Sequence, residues 1–168
     1  MTAAPESIPA PLDVHRETVR PDWIDYNGHM NVGYYDVVFD HGTDALLDFI
    51  GVGEAYRRQE GCSIFVVEQH LLYKAELSLG DPVRITTQLL GFDEKRMHYF
   101  HRMFHAANGY LAATSELLTL HVDLQTRRAR PLSGVILDRL GAIAAAHAGL
   151  PRPPELGRAI GLASGKPG

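Results

Sequence analysis

From Val32 to Ile50 the apolar side chains recur at helical spacing, with Tyr35, Val38, Phe39, Leu46, Phe49 and Ile50 on one stripe. The pattern predicts a long amphipathic helix. Asn31 stands at the N-cap position, where its side-chain oxygen can accept from the open N–H groups of the first turn. Gly51 and Gly53 close the run. Gly42 inside it costs about 1 kcal/mol of helix propensity relative to Ala, so the helix depends on what it packs against. A short strand, Asp13 to Arg20, and a polar turn, Pro21 to Asn31, precede it.

Beyond Arg57 the period changes. Ser63 to Leu77, Asp81 to Leu90, Arg96 to Ala107 and Tyr110 to Asp123 are rich in β-branched and aromatic residues and read as strands. Short breaks separate them, and Asn108-Gly109 between two apolar runs is a strong hairpin signal. An antiparallel meander is expected. Pro131 stops the last strand, and Val135 to Ala148 reads as a second helix. Residues 1–12 read as a loose leader, 13–150 as one domain, and 151–168 as a Pro/Gly-rich tail. One long apolar helix on a curled antiparallel sheet makes a two-layer α+β domain. Such a sheet leaves an edge to cover, which predicts at least a homodimer.

Composition narrows the classes. With 168 residues, 45% of them hydrophobic, the chain can bury a sizeable core in one domain. A net charge of −4 argues against a basic face for nucleic acid. No apolar run nears the roughly 20 residues of a membrane span, and the first residues lack a signal-peptide pattern. The single cysteine, Cys62, allows no intrachain disulfide and fits a reducing compartment. The expectation is a soluble cytoplasmic protein that binds neither nucleic acid nor membrane.

The richest chemistry lies in Asp22-Trp23-Ile24-Asp25-Tyr26-Asn27-Gly28-His29-Met30-Asn31, a turn that empties into the long helix. A helix start points open N–H groups at whatever the turn holds. Asp25 beside such donors can act on a carbonyl as general base or as nucleophile, with the open N–H groups of the helix start stabilising the oxyanion. The alternative is an Asp that only satisfies local backbone donors. Asn27 can orient water or the carbonyl. His29 can orient Asp25, contact substrate, or simply fix the loop. Gly28 suits a positive φ or a close approach. Glu68 interrupts an apolar strand, either as a second carboxylate facing Asp25 or as an outward-facing residue. Trp23, Tyr26, Tyr34, Tyr35 and Tyr73 can form an aromatic box for a quaternary ammonium group or can be packing. Asp36, Asp40 and Asp44 share one helix face. Lys95 and Arg96, and Arg127 and Arg128, can hold phosphates or be solvated turn charges.

Nine histidines invite a metal reading, but His98, His101 and His105 come with no HExxH and no cysteine pair, so no metal is expected. A Gly-x-Ser-x-Gly elbow and a phosphate-binding Gly loop are both missing.

Asp25 to Asn31 before a long helix, then Val67-Glu68-Gln69-His70 and Tyr73 to Glu76 with Gly80-Asp81 behind, resembles the hotdog-fold acyl-CoA thioesterases of the 4-hydroxybenzoyl-CoA thioesterase group. The resemblance covers roughly Val14 to Pro131, and Trp23 to Asn31 is most similar to the betainyl-CoA thioesterases of carnitine breakdown. It implies a sheet wrapped around the central helix and a site at the interface of a homodimer or dimer of dimers. It also implies Asp25 as the catalytic carboxylate and the Val32 N–H as the group that polarises the thioester. The implied substrate is an acyl-CoA, with betainyl-CoA favoured and an aromatic or medium-chain ester as the alternative. Coenzyme A is then part of the substrate and no separate cofactor is needed. Tyr26-Asn27 replaces the group's usual small residues and alters the pocket wall. Acyl-thioester hydration and a non-catalytic acyl-CoA binding module are the competing functions.

Overall fold

The computed structural model of the chain describes residues 7–162, so the outer parts of the expected leader and tail, 1–6 and 163–168, lie outside the described residues. The long helix, α1 (Val32–Ile50), matches the hydrophobic stripe and buries Tyr35, Val38, Phe39, Gly42, Thr43, Leu46, Leu47 and Ile50. Phe49 is half-buried, with the Arg139 guanidinium over its ring. Asn31 Oδ1 accepts from the Gly33 N–H at 2.9 Å. Gly51 ends the helix at φ 92°, a conformation that favours glycine, and its N–H donates to the carbonyls of Leu47 and Asp48.

Six strands surround this helix: β1 (Leu12–Thr18), β2 (Cys62–Tyr73), β3 (Pro82–Phe92), β4 (Arg96–His105), β5 (Leu111–Asp123) and the short β6 (Arg128–Ala129). They form one antiparallel sheet in the order β1-β3-β4-β5-β2, with β6 on the end of β5. Register shifts in every long strand pair increase the local twist and help the sheet curl. Two further helices, α2 (Glu54–Glu60) and α3 (Gly134–His147), complete the described fold.

The expected meander holds for β3-β4-β5 but not for β2, which pairs with β5 instead of β3. The strand expected to reach Leu77 stops at Tyr73. The N–H groups of Lys74 and Ala75 both donate to the Ala112 carbonyl, and the chain then crosses the end of the sheet to start β3 beside β1. Leu77, fully buried, anchors this crossover. The helix α2 was not expected. It buries none of its side chains and therefore carries no apolar stripe to read.

Two clusters fill the space between α1 and the sheet. Trp23, Met30, Tyr35, Phe39, Leu77, Ile85 and Met103 surround the first half of the helix. Leu46, Ile50, Leu89, Tyr99 and Leu117 surround the second half together with Leu140 and Ile143 of α3. His147 ties α3 down: its Nδ1 accepts from the Leu89 N–H at 2.9 Å, and its Nε2 donates to the Pro9 carbonyl at 3.1 Å. Residues 8–12, expected in the leader, are thus held against the domain, with Leu12 buried. The described part of the tail lies on the sheet face away from α1. There Glu155 pairs with Lys74, and the Gly157 N–H donates to Glu116 at 2.8 Å.

At Gly42 the helix packs tightly against Ile85 of β3. A Cβ built there would stand 2.9 Å from Cγ2 of Ile85, itself fully buried. Ala is the better helix former by about 1 kcal/mol, but overpacking a closed core costs ~1–3 kcal/mol. Gly42→Ala is therefore expected to lower stability, read as a lower urea midpoint at unchanged m. A higher midpoint would show that Ile85 yields freely.

Candidate active site

The turn before α1 closes on itself. Ile24 and Met30 form an isolated antiparallel bridge, the Asp25 N–H donates to the His29 carbonyl at 3.1 Å, and the Gly28 N–H donates to the Asp25 carbonyl at 3.0 Å. Gly28 sits at φ 86° with no heavy atom near a built Cβ, so the backbone conformation and not space calls for glycine. Two bonds fasten the turn to the body: Met30 N–H to the Leu77 carbonyl at 2.7 Å and Asn31 N–H to the Trp23 carbonyl at 2.9 Å. The Asp25 carboxylate accepts from the Asn27 N–H at 2.8 Å. Asn31 takes up the Gly33 N–H, and no acceptor for the Val32 N–H is found among the described residues. Val32 itself is 59% exposed. The turn therefore presents a partly exposed carboxylate next to an open helix N–H.

Beside the helix start lies a shallow pocket of about 240 Å³, lined by His29, Met30, Val32, Tyr35, Tyr73 and the crossover residues Lys74, Ala75 and Glu76. The rings of Tyr35 and Tyr73 meet edge to face with centroids 5.3 Å apart. Tyr35 is a buried strut. Its hydroxyl donates to the Ala75 carbonyl at 3.2 Å and accepts from the Leu77 N–H at 3.1 Å. Burial pushes its pKa up to about 12, so the hydroxyl keeps its proton. Tyr73 is half-exposed and reaches the Val32 carbonyl at 3.5 Å. Burial, and then the Asp36 carboxylate, push its phenol up as well. Glu76 is mostly exposed, with His29 Nε2 at 3.6 Å. Lys74, the cation of the lining, is paired with Glu155 at 3.1 Å. Two tyrosine rings and the Glu76 carboxylate, with His29 beside it, thus supply the aromatic and acidic groups of the lining, while Lys74 is paired with Glu155.

Asn27, Gly28 and His29 share the turn with Asp25, but His29 pairs with Glu76 and not with Asp25. Trp23 is buried, stacked on Tyr34 at 5.5 Å beneath the Arg20 guanidinium, so its ring braces the turn from inside. Tyr26 is 98% exposed at the loop tip. Glu68 lies on the sheet face away from α1, lining a cavity with His70, His98 and Glu116; its neighbour Gln69 faces the helix and donates to Asp36 at 2.7 Å. Within one subunit Glu68 and Asp25 therefore do not meet.

The basic residues lie at the opposite end of the sheet. Arg96 pairs with Leu120 and Tyr73 with Ala113, positions about 24 Å apart along β5 at 3.4 Å per residue. Lys95 bonds Glu94 and Arg96 bonds Asp93, whose carboxyl this hydrogen bond pulls down to about 2. Arg127 covers the Phe65 ring, and Arg128 is exposed in β6. The sequence alone assigns Glu76 no role. The loss of apolar alternation at Lys74-Ala75-Glu76 was the available signal that the chain leaves the strand there.

A central helix wrapped by a curled antiparallel sheet, with a carboxylate turn at its N-terminus, is the hotdog architecture of thioesterases. The chain belongs to the thioesterase-like superfamily, whose family model matches residues 19–140. It is 42% identical over 151 residues to the betainyl-CoA thioesterase of Pseudomonas aeruginosa, covering 90% of this chain and 95% of that protein. An L-carnitine dehydrogenase/betainyl-CoA thioesterase of Rhizobium meliloti is 40% identical over 90% of this chain, which spans 30% of that longer protein. Among solved structures, a Staphylococcus aureus protein in complex with CoA superposes with TM-score 0.84 at 26% identity, over 91% of this chain and 97% of that one. A candidate thioesterase from Pseudomonas putida KT2440 superposes with TM-score 0.80 at 38% identity, over 90% of this chain and 97% of that one.

Proposed function

We propose that the protein is a cytoplasmic acyl-CoA thioesterase that hydrolyses betainyl-CoA to glycine betaine and CoA. The observation that carries the substrate is the pocket beside the helix start: the rings of Tyr35 and Tyr73 and the carboxylate of Glu76, with Lys74 already paired to Glu155. A quaternary ammonium cannot donate a hydrogen bond and is held by aromatic faces and negative charge, as this lining offers. The betainyl-CoA thioesterase named above supports the same reading at 42% identity.

The chemistry follows from the turn. With the thioester carbonyl oxygen on the Val32 N–H, Asp25 either takes a proton from an attacking water or attacks the carbon to give a mixed anhydride that water then opens. Asn27 and His29 flank the carboxylate and orient water and acyl group. A thiolate leaves readily, so no strong general acid is required, and no cofactor beyond the CoA of the substrate takes part.

A homodimer, or a dimer of dimers, fits the exposed edge. Among the described residues β2 pairs only with β5, and it leaves Val66, Val67 and Tyr73 open, next to Val32 and Val37 of α1. A second copy pairing antiparallel along β2 covers this edge. It also sets the far end of its own β2 near Tyr73, which carries the partner's Arg127 and Arg128 toward the turn as holders of the CoA phosphates. Lys95 and Arg96 belong to the same basic end.

The substrate is tested by measuring kcat/KM across betainyl, benzoyl and octanoyl CoA esters. Cation–π and charge contacts of ~0.5–2 kcal/mol predict a preference for betainyl-CoA of about 2- to 30-fold. Preference for a benzoyl or octanoyl ester would remove betaine while leaving a thioesterase.

A further inference from the structure

We propose that His15, Glu17 and His41 form a binding site for a divalent transition cation of the zinc class. His15 and Glu17 are two apart on β1 and share a face, and His41 of α1 meets them. Nε2 of His15 lies 2.9 Å and Nδ1 of His41 lies 2.8 Å from the same carboxylate oxygen, Oε1 of Glu17. The three donor atoms all lie within 4.8 Å of one another. The two imidazoles meet nearly edge to face, centroids 5.8 Å apart.

Zinc takes imidazole nitrogen and carboxylate oxygen at ~2.0–2.2 Å in tetrahedral array, so neighbouring donors of a filled shell stand about 3.3 Å apart. The two nitrogen-to-carboxylate spacings need to open by only a few tenths of an ångström, and the two imidazole nitrogens already lie within 4.8 Å of each other. Two imidazoles and a carboxylate suit zinc, nickel or copper better than calcium or magnesium, which prefer all-oxygen shells. Both rings are partly exposed, so the site opens to solvent, where water can take the fourth position. The Glu17 side chain is only 10% exposed, and its charge now rests on shared imidazole hydrogens and on Arg20, 3.7 Å from the other oxygen. Arg20 thus leaves Oε1 to the metal. On binding, each imidazole presents a lone pair to the ion at the nitrogen that now faces Glu17. A doubly protonated ring cannot do so, and acid therefore releases the metal.

The donors bracket residues 18–40, the stretch that contains the Asp25 turn and the first half of α1. A bound ion would clip the edge strand β1 to the central helix and fix this stretch at both ends. The role is structural, and it stands whether or not the substrate reading does.

The test is titration of chelator-treated, desalted protein with Co²⁺, followed by its visible tetrahedral absorption, and with Zn²⁺ by calorimetry and thermal unfolding. One ion per chain and a raised Tm are expected. His15→Ala, a partly exposed position on an edge strand, keeps the fold and weakens binding by at least ~10-fold, as does His41→Ala. The proposal is overturned if neither ion binds the wild type, or if the His15→Ala/His41→Ala protein binds as tightly, which would place the ion on the remaining histidines.

Discussion

Asp25→Asn is expected to lower thioester hydrolysis by roughly 10²–10⁴-fold, the range typical for loss of a positioned base. Its effect on stability should be slight. The carboxylate accepts one bond, from the Asn27 N–H, and an amide oxygen of the same shape can accept it too. What disappears is the negative charge needed to take a proton or attack a carbon. The loss should fall on kcat, because the tyrosines, Glu76 and the open Val32 N–H, the groups proposed to hold the substrate, are untouched. The assay is thiol release from betainyl-CoA, with unfolding curves of both proteins. Full activity in the mutant would move the chemistry elsewhere, to His29 at the pocket or Glu68 of a second copy.

The second large effect is on acid stability. His101 lies fully buried beneath α1, between the hydroxyl of Thr87 at 2.7 Å and that of Thr43 at 3.1 Å, stacked on Phe39. Burial alone pushes its pKa from 6.5 down to about 3. Burial also lowers His147, against the opposing pull of its backbone bonds. The unfolded chain takes up these protons near pH 6.5 and the folded chain only at lower pH. Unfolding therefore binds protons in between, and stability falls as pH falls. Each such histidine contributes a slope of up to ~1.4 kcal/mol per pH unit within its window. Over its whole window His101 costs about 5 kcal/mol, an order-of-magnitude figure. Urea unfolding between pH 6.5 and 4.5 reads this before most carboxylates titrate. His101→Gln should be less stable at neutral pH, having lost its stacking, and should show a slope shallower by about one proton. An unchanged slope would mean that His101 is protonated in the folded protein.

The legible parts of the fold were those governed by local rules. The α1 stripe, its Asn31 cap, the Asn108-Gly109 hairpin and α3 each follow from spacing or turn chemistry within a few residues. Strand pairing was less so. Nothing local distinguishes β2 beside β3 from β2 beside β5, because the crossover is held by distant partners: Ala112 for Lys74 and Ala75, Tyr35 for Leu77. Burial separated the aromatics in the same way. Trp23 and Tyr73 look equivalent in sequence, yet one braces the core and the other faces the pocket. The turn was legible as chemistry because Asp25, Gly28 and the helix start are adjacent in the chain. Glu76 was not, since only the fold brings it to His29. Likewise His15, Glu17 and His41 converge only once β1 lies along α1.

The Asp25 turn and the α1 start are proposed to hydrolyse a thioester. The most direct test incubates the wild-type protein with betainyl-CoA and measures free thiol and free glycine betaine together. Repeated turnover is expected, with the two products released in equal amounts. Binding of the CoA ester with no thiol released, from this or any ester of the panel, would contradict it and leave an acyl-CoA binding module.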